Sequence, residues 1–382
     1  MLSFLGFFRD EGHMTAPIKR IAICTGGGDA PGLNAVIRAA AISAMDLGWE
    51  CYGLREGFNG IFFSERYADG GVIRLTQERV RGIAHLGGTI LGTTNKGNPL
   101  AFPLKMPDGT VKEVDRTDEI LEFFARRQLD ALISIGGDGS LTIANALAQK
   151  GLKVVGVPKT IDNDLDKTFT TFGFDTAVGF ATECLDRLHS TAESHQRVMV
   201  VEVMGRYAGW IALHSGISGG AHAILLPEIP FDLEKVAAKI RSRDGNGRLY
   251  SLVVVAEGAQ PRDGQRTILA PAEVGRAERL GGMGDAVAKG LQSLTGKDTR
   301  LVVLGHLLRG GSPTTFDRLA ALRFGAAAVR ALAEGQSGVM VALALGGVNY
   351  VPLAEVAGHM RCVPLDGDTL LTGRNLGICF GD

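Results

Sequence analysis

Cysteine is scarce in this chain, with five residues in 382 (Cys24, Cys51, Cys184, Cys362 and Cys379) and no C-x-x-C pair among them. That excludes a thiolate metal knuckle or a disulfide framework as the source of stability. Three of the five sit in apolar runs, which reads as buried free thiols in a reducing compartment and so as a cytoplasmic protein. Long hydrophobic runs are missing too. Nothing reaches the ~18 uninterrupted apolar residues that a spanning helix needs. The apolar stretch 1–8 is short, has no basic leader and meets Arg9-Asp10-Glu11, so it reads as neither a secretory signal nor a membrane span. Residues 1–17 are expected to be a tail, and no membrane partner is expected. Neither sign of charge prevails: 40 basic residues face 41 acidic ones without long blocks, for a net charge of -1. There is thus no electrostatic footprint for nucleic acid, and any basic site must be local.

What is abundant is glycine, at 53 residues, within a hydrophobic share of 45%. This composition suits a loop-rich α/β protein, and the length suits two domains better than one core. Apolar runs of strand length recur at 21–24, 129–135, 153–157, 198–203, 223–226, 249–255 and 301–304. Helical stretches lie between them, for example 31–47, 118–127, 174–194 and 233–241. Alternation of this kind is the signature of doubly wound parallel sheets with crossover helices. In such sheets ligands bind at the carboxyl ends of the strands.

Two polar clusters sit at just those ends. Gly136-Gly137-Asp138-Gly139-Ser140 follows the run 131–135, and Pro158-Lys159-Thr160-Ile161-Asp162-Asn163-Asp164 follows 154–157. Three carboxylates and a Thr beside glycine turns suit a magnesium-phosphate transfer site, with hard oxygen ligands, a base and close backbone approach to anions. Asp138 is the leading metal candidate; its plainer reading is a helix N-cap. Asp162 suits a general base, against the plainer reading of an Asx-type turn. A third glycine cluster, Thr25-Gly26-Gly27-Gly28-Asp29-Ala30-Pro31-Gly32, stands between a strand and a helix, where backbone N–H groups and a helix amino end favour phosphate. It is not a Walker A loop, since no Gly-Lys-Ser/Thr closes it. Arg197, Arg206, Arg300 and Arg309 stand at strand ends and offer forked donors matched to phosphate oxygens. His85, His189 and His222 have no ligand-spaced partners and read as structural.

The two clusters, with Met204-Gly205-Arg206, Ala256-Glu257-Gly258 and the stretch GHLLRGGSP at 305–313, occur in the order seen in 6-phosphofructokinases. The chain resembles that family over about residues 19–334. The resemblance implies an α/β fold of two doubly wound Rossmann-like domains with mainly parallel sheets and an interdomain active-site cleft. It guides a discontinuous division: 18–173 plus 308–357 for the phosphoryl donor, 174–307 plus 358–382 for the sugar phosphate. It implies that Asp162 takes the proton of the 1-hydroxyl of fructose 6-phosphate, that Thr160 and Arg206 contact the migrating phosphoryl group, and that Asp138 holds Mg2+ with help from Asp164. Met204, Gly205 and Glu257 go to the sugar; His306 and Arg309, with Arg197 and Arg300 from a neighbouring subunit, go to the 6-phosphate. The donor falls to Gly26, Gly27, Gly28, Lys96, Gly137, Gly139, Ser140 and Lys159. A homotetramer with active sites shared between subunits, acting in glycolysis, follows from the same likeness.

Within that family a Gly after the GGD Asp leaves room for the α-phosphate and adenosine of ATP, whereas an Asp there goes with pyrophosphate. Gly139 therefore favours ATP as co-substrate. Lys159 is the residue typical of pyrophosphate enzymes, so a pyrophosphate-dependent fructose 6-phosphate 1-phosphotransferase is the alternative. A GGDG-type lipid or NAD kinase lacks counterparts of TIDND and MGR, and a noncatalytic sugar-phosphate sensor would not need all three carboxylates. Of the family's basic effector positions Arg38 is kept, while Ile42, Asn246 and Arg248 replace an Arg and two lysines. Less charge for anionic regulators is expected to mean little activation by ADP or inhibition by phosphoenolpyruvate.

Overall fold

The structure, a computed structural model, describes residues 18–264, 268–270 and 279–382. The expected tail at 1–17 lies outside the described residues.

In chain order the first part runs β1 (Arg20–Thr25), α1 (Leu33–Asp46), β2 (Glu50–Leu54), α2 (Asn59–Phe62), β3 (Val72–Arg74), a hairpin of β4 (Phe102–Lys105) and β5 (Val111–Val114), α3 (Thr117–Arg127), β6 (Ala131–Gly136), α4 (Asp138–Gln149) and β7 (Lys153–Pro158). The middle runs α5 (Phe174–Ser194), β8 (Val198–Val203), α6 (Trp210–Ser218), β9 (Ala223–Leu225), α7 (Leu233–Gly245), β10 (Ser251–Ala256), the small pair β11 (Ile268–Ala270) and β12 (Arg279–Leu280), α8 (Met283–Thr295) and β13 (Thr299–Val303). The chain then returns through α9 (Thr315–Ala333), β14 (Val339–Ala344) and β15 (Gly347–Pro352), and ends with α10 (Asp368–Asn375).

These elements make two large sheets. The first has seven strands in the order β15-β14-β7-β6-β1-β2-β3, parallel except for the antiparallel edges β15 and β3. The second has four parallel strands in the order β13-β8-β10-β9. Every residue of β6, β8 and β10 is buried because helices cover both faces, and the strands are apolar apart from Ser134, Ser251 and Glu202, whose Oε2 accepts the Gly284 N–H at 2.7 Å. Alternation sends Ile21 and Ile23 to the core shared with α1 and α9, and Ala22 and Cys24 to the core shared with α3 and α4. In the second sheet Val201 and Val254 face α5 and α6, whereas Val200 and Val253 face α7 and α8. Helices on both faces of two mainly parallel sheets are the doubly wound architecture expected from the sequence.

The small face of α1, expected to lie tightly on the sheet, also takes a helix. Ala35, Ala40, Ala41 and Ala44 are buried, and α9 crosses so closely that a Cβ on Gly325 would lie 2.5 Å from the Val36 carbonyl oxygen. The carboxyl-terminal stretch serves the second sheet: Leu370 and Phe380 enter its core, and Cys379 pairs in parallel with Ala223. All five cysteines are free, with Cys24 and Cys51 buried and Cys362 exposed. No helix among the described residues is long and apolar enough to cross a membrane.

Candidate active site

Parallel strands deliver their carboxyl ends to one side of each sheet. In the first sheet β1 leads into Gly26–Gly28, β6 into Asp138 and β7 into Lys159–Asp164; in the second, β8 leads into Met204–Arg206 and β10 into Glu257. The ends of the second sheet lie close enough for Arg206 and Glu257 to act on Asp162 without lining the cavity that opens at the ends of the first. That cavity, of about 530 Å³, is lined by Gly26, Gly27, Gly28, Lys96, Gly137, Asp138, Gly139, Ser140, Lys159, Thr160, Asp162 and Arg309. Twelve residues expected from sequence are thus brought together.

Asp162 is the centre of the arrangement. Its backbone N–H donates to Thr160 Oγ1 at 3.1 Å, while its carboxylate Oδ1 is buried without a hydrogen-bond partner. Burial pushes its pKa above the ordinary carboxylate range; Arg309 opposes this, Glu257 adds to it, and Lys159 and Arg206 oppose it. Those influences place Arg206 and Glu257, from the second sheet, in the field of a carboxylate from the first. The Thr160 hydroxyl in turn bonds the Asp164 carboxylate, whose pKa rises to about 6 through burial and the nearby Asp162.

The turn that presents these groups is locally strained. Asn163 adopts φ 52°, a left-handed conformation that Asn tolerates better than most residues, and its side-chain oxygen accepts the Thr171 N–H at 3.1 Å. The Thr171 hydroxyl closes the loop on the Thr160 carbonyl at 2.7 Å.

Asp138 is not the N-cap that its plainer reading suggests. Gly137 occupies that position, and Asp138 is the first residue of α4, with Oδ1 accepting the Gly358 N–H at 2.7 Å. Among the described residues no three His, Cys, Asp or Glu side chains form a metal cage. Asp138 and Asp164 are close enough for the first to raise the pKa of the second, and such a pair fits Mg2+, which is commonly held by one or two carboxylates together with substrate phosphates.

The glycine turn differs in detail from its expected role. The Gly26 N–H donates to the Ile135 carbonyl at 2.9 Å and the Gly27 N–H to the Thr94 carbonyl at 3.0 Å, so these two donors are spent inside the protein. The physical need for glycine is close approach: a Cβ on Gly26 would lie 2.5 Å from Ser140 Oγ, and one on Gly28 2.6 Å from Arg309 Nη1. Lys159, 3% exposed, reaches under the turn and donates to the Gly28 carbonyl. Burial, reinforced by Arg309, lowers its pKa to about 8. Arg309 donates to the Asp29 carbonyl at 3.1 Å. At Gly139 an added Cβ would meet nothing within 4 Å, so the space beside it is open cavity.

Arg197 and Arg300 are not brought to this cleft by their own chain. Arg197 immediately precedes β8 and Arg300 is the second residue of β13, at the amino edge of the sheet, a strand length (roughly 17 Å) from the carboxyl ends. Both pair with Asp298, at 2.5 Å and 2.6 Å. Met204 and Glu257 are partly exposed, Gly205 is buried at φ 142°, and His306 is exposed on the turn after β13. Arg248 lines a separate hollow of about 470 Å³ with His222, Arg243 and Tyr250. There His222 Nδ1 accepts the Leu252 N–H at 2.9 Å and His189 meets the Gly219 carbonyl at 2.8 Å, both structural roles.

Sequence reasoning missed several residues of the site. Glu113 of the hairpin and Ile143 of α4 line the cavity, and neither stands in a motif. Arg361 binds the carbonyls of Asn163, Thr168 and Phe169 from 192 to 198 residues away in the chain, where no local signal marks it.

Fold and site together define a two-sheet α/β protein whose cleft joins a buried carboxylate to cations and glycine turns, the equipment of phosphoryl transfer. Residues 20–332 match the family model described as phosphofructokinase. The chain belongs to the phosphofructokinase family. It is 51% identical over 369 residues to the ATP-dependent 6-phosphofructokinase of Chloroflexus aggregans, covering 97% of this chain and 99% of that one. It is also 46% identical over 349 residues to the pyrophosphate--fructose 6-phosphate 1-phosphotransferase of Amycolatopsis mediterranei, covering 91% and 97%. The crystal structure of a pyrophosphate-dependent phosphofructokinase from Marinobacter aquaeolei superposes with a TM-score of 0.77 at 22% identity, covering 96% of this chain and 93% of that one, a likeness of fold.

Proposed function

We propose that this protein transfers the terminal phosphoryl group of ATP to the 1-hydroxyl of fructose 6-phosphate, giving fructose 1,6-bisphosphate and ADP, as in glycolysis. The observation that carries the reading is the buried, unpartnered Oδ1 of Asp162, set between the strand ends of two sheets and surrounded by Arg309, Lys159 and Arg206. A sugar hydroxyl attacks phosphorus well only if its proton has an acceptor in reach. Asp162 Oδ1 takes that proton, the hydroxyl oxygen bonds the terminal phosphorus, and the bond to the bridging oxygen breaks with its electron pair leaving on ADP. Thr160 and Arg206 orient the migrating group, and Arg206 and Arg309 offset its charge. Asp138, with Asp164, is the place for Mg2+, which supplies charge neutralisation of the donor phosphates when bound.

Open space at Gly139 supports ATP, since the donor can extend past the phosphates toward Lys96, Glu113 and Ile143. Lys159 favours the pyrophosphate reading by type, but its ammonium is engaged with the Gly28 carbonyl beneath the turn. The sugar phosphate falls to Met204, Gly205, Glu257, His306 and Arg309. Arg197 and Arg300, at the far edge of the second sheet, serve a neighbouring subunit's site, which supports an oligomer, by family likeness a tetramer, with shared active sites. The division at 18–173 plus 308–357 and 174–307 plus 358–382 is supported by the sheets, since the strands of the seven-stranded one fall in the first set and those of the four-stranded one in the second, and free thiols suit the cytoplasm.

The test is the initial rate with fructose 6-phosphate and Mg2+, with ATP or pyrophosphate supplied separately. A higher kcat/KM with ATP is expected. A preference for pyrophosphate overturns the donor assignment, and no rate with either overturns the reaction.

A further inference from the structure

Residues 358–363 form a strap that touches turns of both sheets, beyond the stretch that matches the family model. Resting on the reading of Asp138, Asp162 and Asp164 given above, we propose that this strap positions those carboxylates and that Arg361 is its principal positioning residue. Each contact of the strap reaches a different part of the site. The Gly358 N–H holds Asp138 Oδ1 at 2.7 Å, Met360 bridges to Leu165, and the Arg361 N–H donates to the Asp164 carbonyl at 2.8 Å.

The guanidinium does most of the work. It donates to the Asn163 carbonyl through Nε at 3.2 Å and Nη2 at 2.8 Å, and through Nη1 to the Thr168 carbonyl at 2.7 Å and the Phe169 carbonyl at 3.2 Å. These carbonyls belong to a turn that holds Asn163 and Lys167 in left-handed conformations, φ 52° and 62°. Such a turn is costly for residues other than glycine and persists only where its surroundings over-determine it. One planar fork satisfying three carbonyls is that determinant, and Lys, a point donor on a flexible stem, cannot reproduce it fully.

The far side of the strap is anchored on the second sheet. The Trp210 indole N–H donates to the Arg361 carbonyl at 2.9 Å, and the guanidinium carbon stands 5.1 Å from the Trp210 ring. The Val363 N–H donates to Glu228, whose carboxylate also receives the Gly209 N–H at 3.0 Å. Gly209 and Trp210 come three and four residues after Arg206. The strap therefore fixes the catalytic turn of one sheet against the sugar-binding turn of the other, and a displacement of about 1 Å is enough to cost ~100-fold in rate.

Arg361→Met and Arg361→Lys in the full chain test this, with steady-state kinetics and amide hydrogen exchange over 162–171. The Met variant is expected to lose ~10–100-fold in kcat, the range for residues that orient others, with KM for both substrates within about threefold of wild type. Exchange is expected to quicken selectively at 162–171, and Lys to recover part of both losses. Should the Met variant fail to fold, the Lys variant carries the test through an intermediate loss. Wild-type kcat with unchanged exchange overturns the proposal, as does quickened exchange spread evenly over the chain, which marks a merely structural role. If the wild type does not phosphorylate fructose 6-phosphate, the proposed function fails, while selective exchange at 162–171 still decides the strap.

Discussion

Replacing Asp162 by Asn keeps the shape of the side chain and removes its capacity to accept a proton. The amide can turn its NH2 toward the cleft and leave its carbonyl oxygen where Oδ1 now lies buried and unpartnered. Loss of a general base lowers kcat by ~100–10,000-fold, about 2.7–5.4 kcal/mol of transition-state stabilisation. The proposed sugar-phosphate contacts are arginines and residues of the second sheet rather than Asp162, so KM for fructose 6-phosphate is expected to change little. Stability is expected to move the other way. Burial, with Glu257, raises the folded pKa of Asp162 despite the opposing cations. A raised acid binds its proton more tightly folded than unfolded, so its favourable contribution is present at low pH and lost as pH rises through the folded pKa. Above that pKa the wild type carries the cost of a buried charge that Asn does not. The difference in Tm, variant minus wild type, is therefore expected to grow as pH rises above the ordinary carboxylate range, and the acid limb of kcat in the wild type to lie above that range. Calorimetry and pH–rate profiles read both. Near-normal turnover refutes the role of Asp162, and a Tm difference independent of pH refutes its raised pKa.

Three further outcomes are expected. Gly139→Asp places a carboxylate in open cavity on the side proposed for the α-phosphate of ATP; at ~5 Å from that phosphate and an effective dielectric of ~20 the repulsion is about 3 kcal/mol, so kcat/KM for ATP should fall ~100-fold, and by much less for pyrophosphate, which has no α-phosphate. Asp317, buried with Oδ1 unpartnered and Oδ2 accepting the Thr176 N–H at 2.7 Å, has a pKa raised by burial from 3.8 to about 6. Its contribution, about 3 kcal/mol at 1.36 kcal/mol per unit, is lost as pH rises from about 4 to above 6, so the urea-unfolding free energies of Asp317→Asn and wild type should converge or cross over that window; a constant difference contradicts this. Fructose 6-phosphate saturation curves with ADP or phosphoenolpyruvate should show little shift in half-saturation, since Ile42 and Asn246 stand where the family likeness leads one to expect basic effector residues; a large shift counts against it.

Much of the fold was legible because its signals are local. Strands buried on both faces leave runs such as 131–135 and 198–203 that are apolar but for Ser134 and Glu202, and β6 and β8 formed there. Strands β2, β3, β14 and β15 add to the expected set, since β2, β3 and β15 mix polar with apolar residues along their length. The carboxylates and glycines of the cleft were legible because chemistry at a strand end must follow the strand within a few residues. Glu113, Ile143, Gly358 and Arg361 were not, because they reach the cleft from a hairpin, a helix side and a distant strap, where spacing along the chain carries no information about position.

Sequence alone determined the α/β class, the strand ends that carry Asp138, Asp162, Asp164 and Arg309, and the lack of a spanning helix, since each depends on neighbours within a turn or a strand. Only the tertiary structure decided that Asp162 is buried with an empty acceptor, that Lys159 is spent on the Gly28 carbonyl, that Gly26 and Gly27 have no free N–H for phosphate, and that Arg197 and Arg300 face away from their own cleft. Hydrogen-bond partners, burial and charge fields are properties of distances in space, and these are set when sheets separated by tens of residues in the chain pack together.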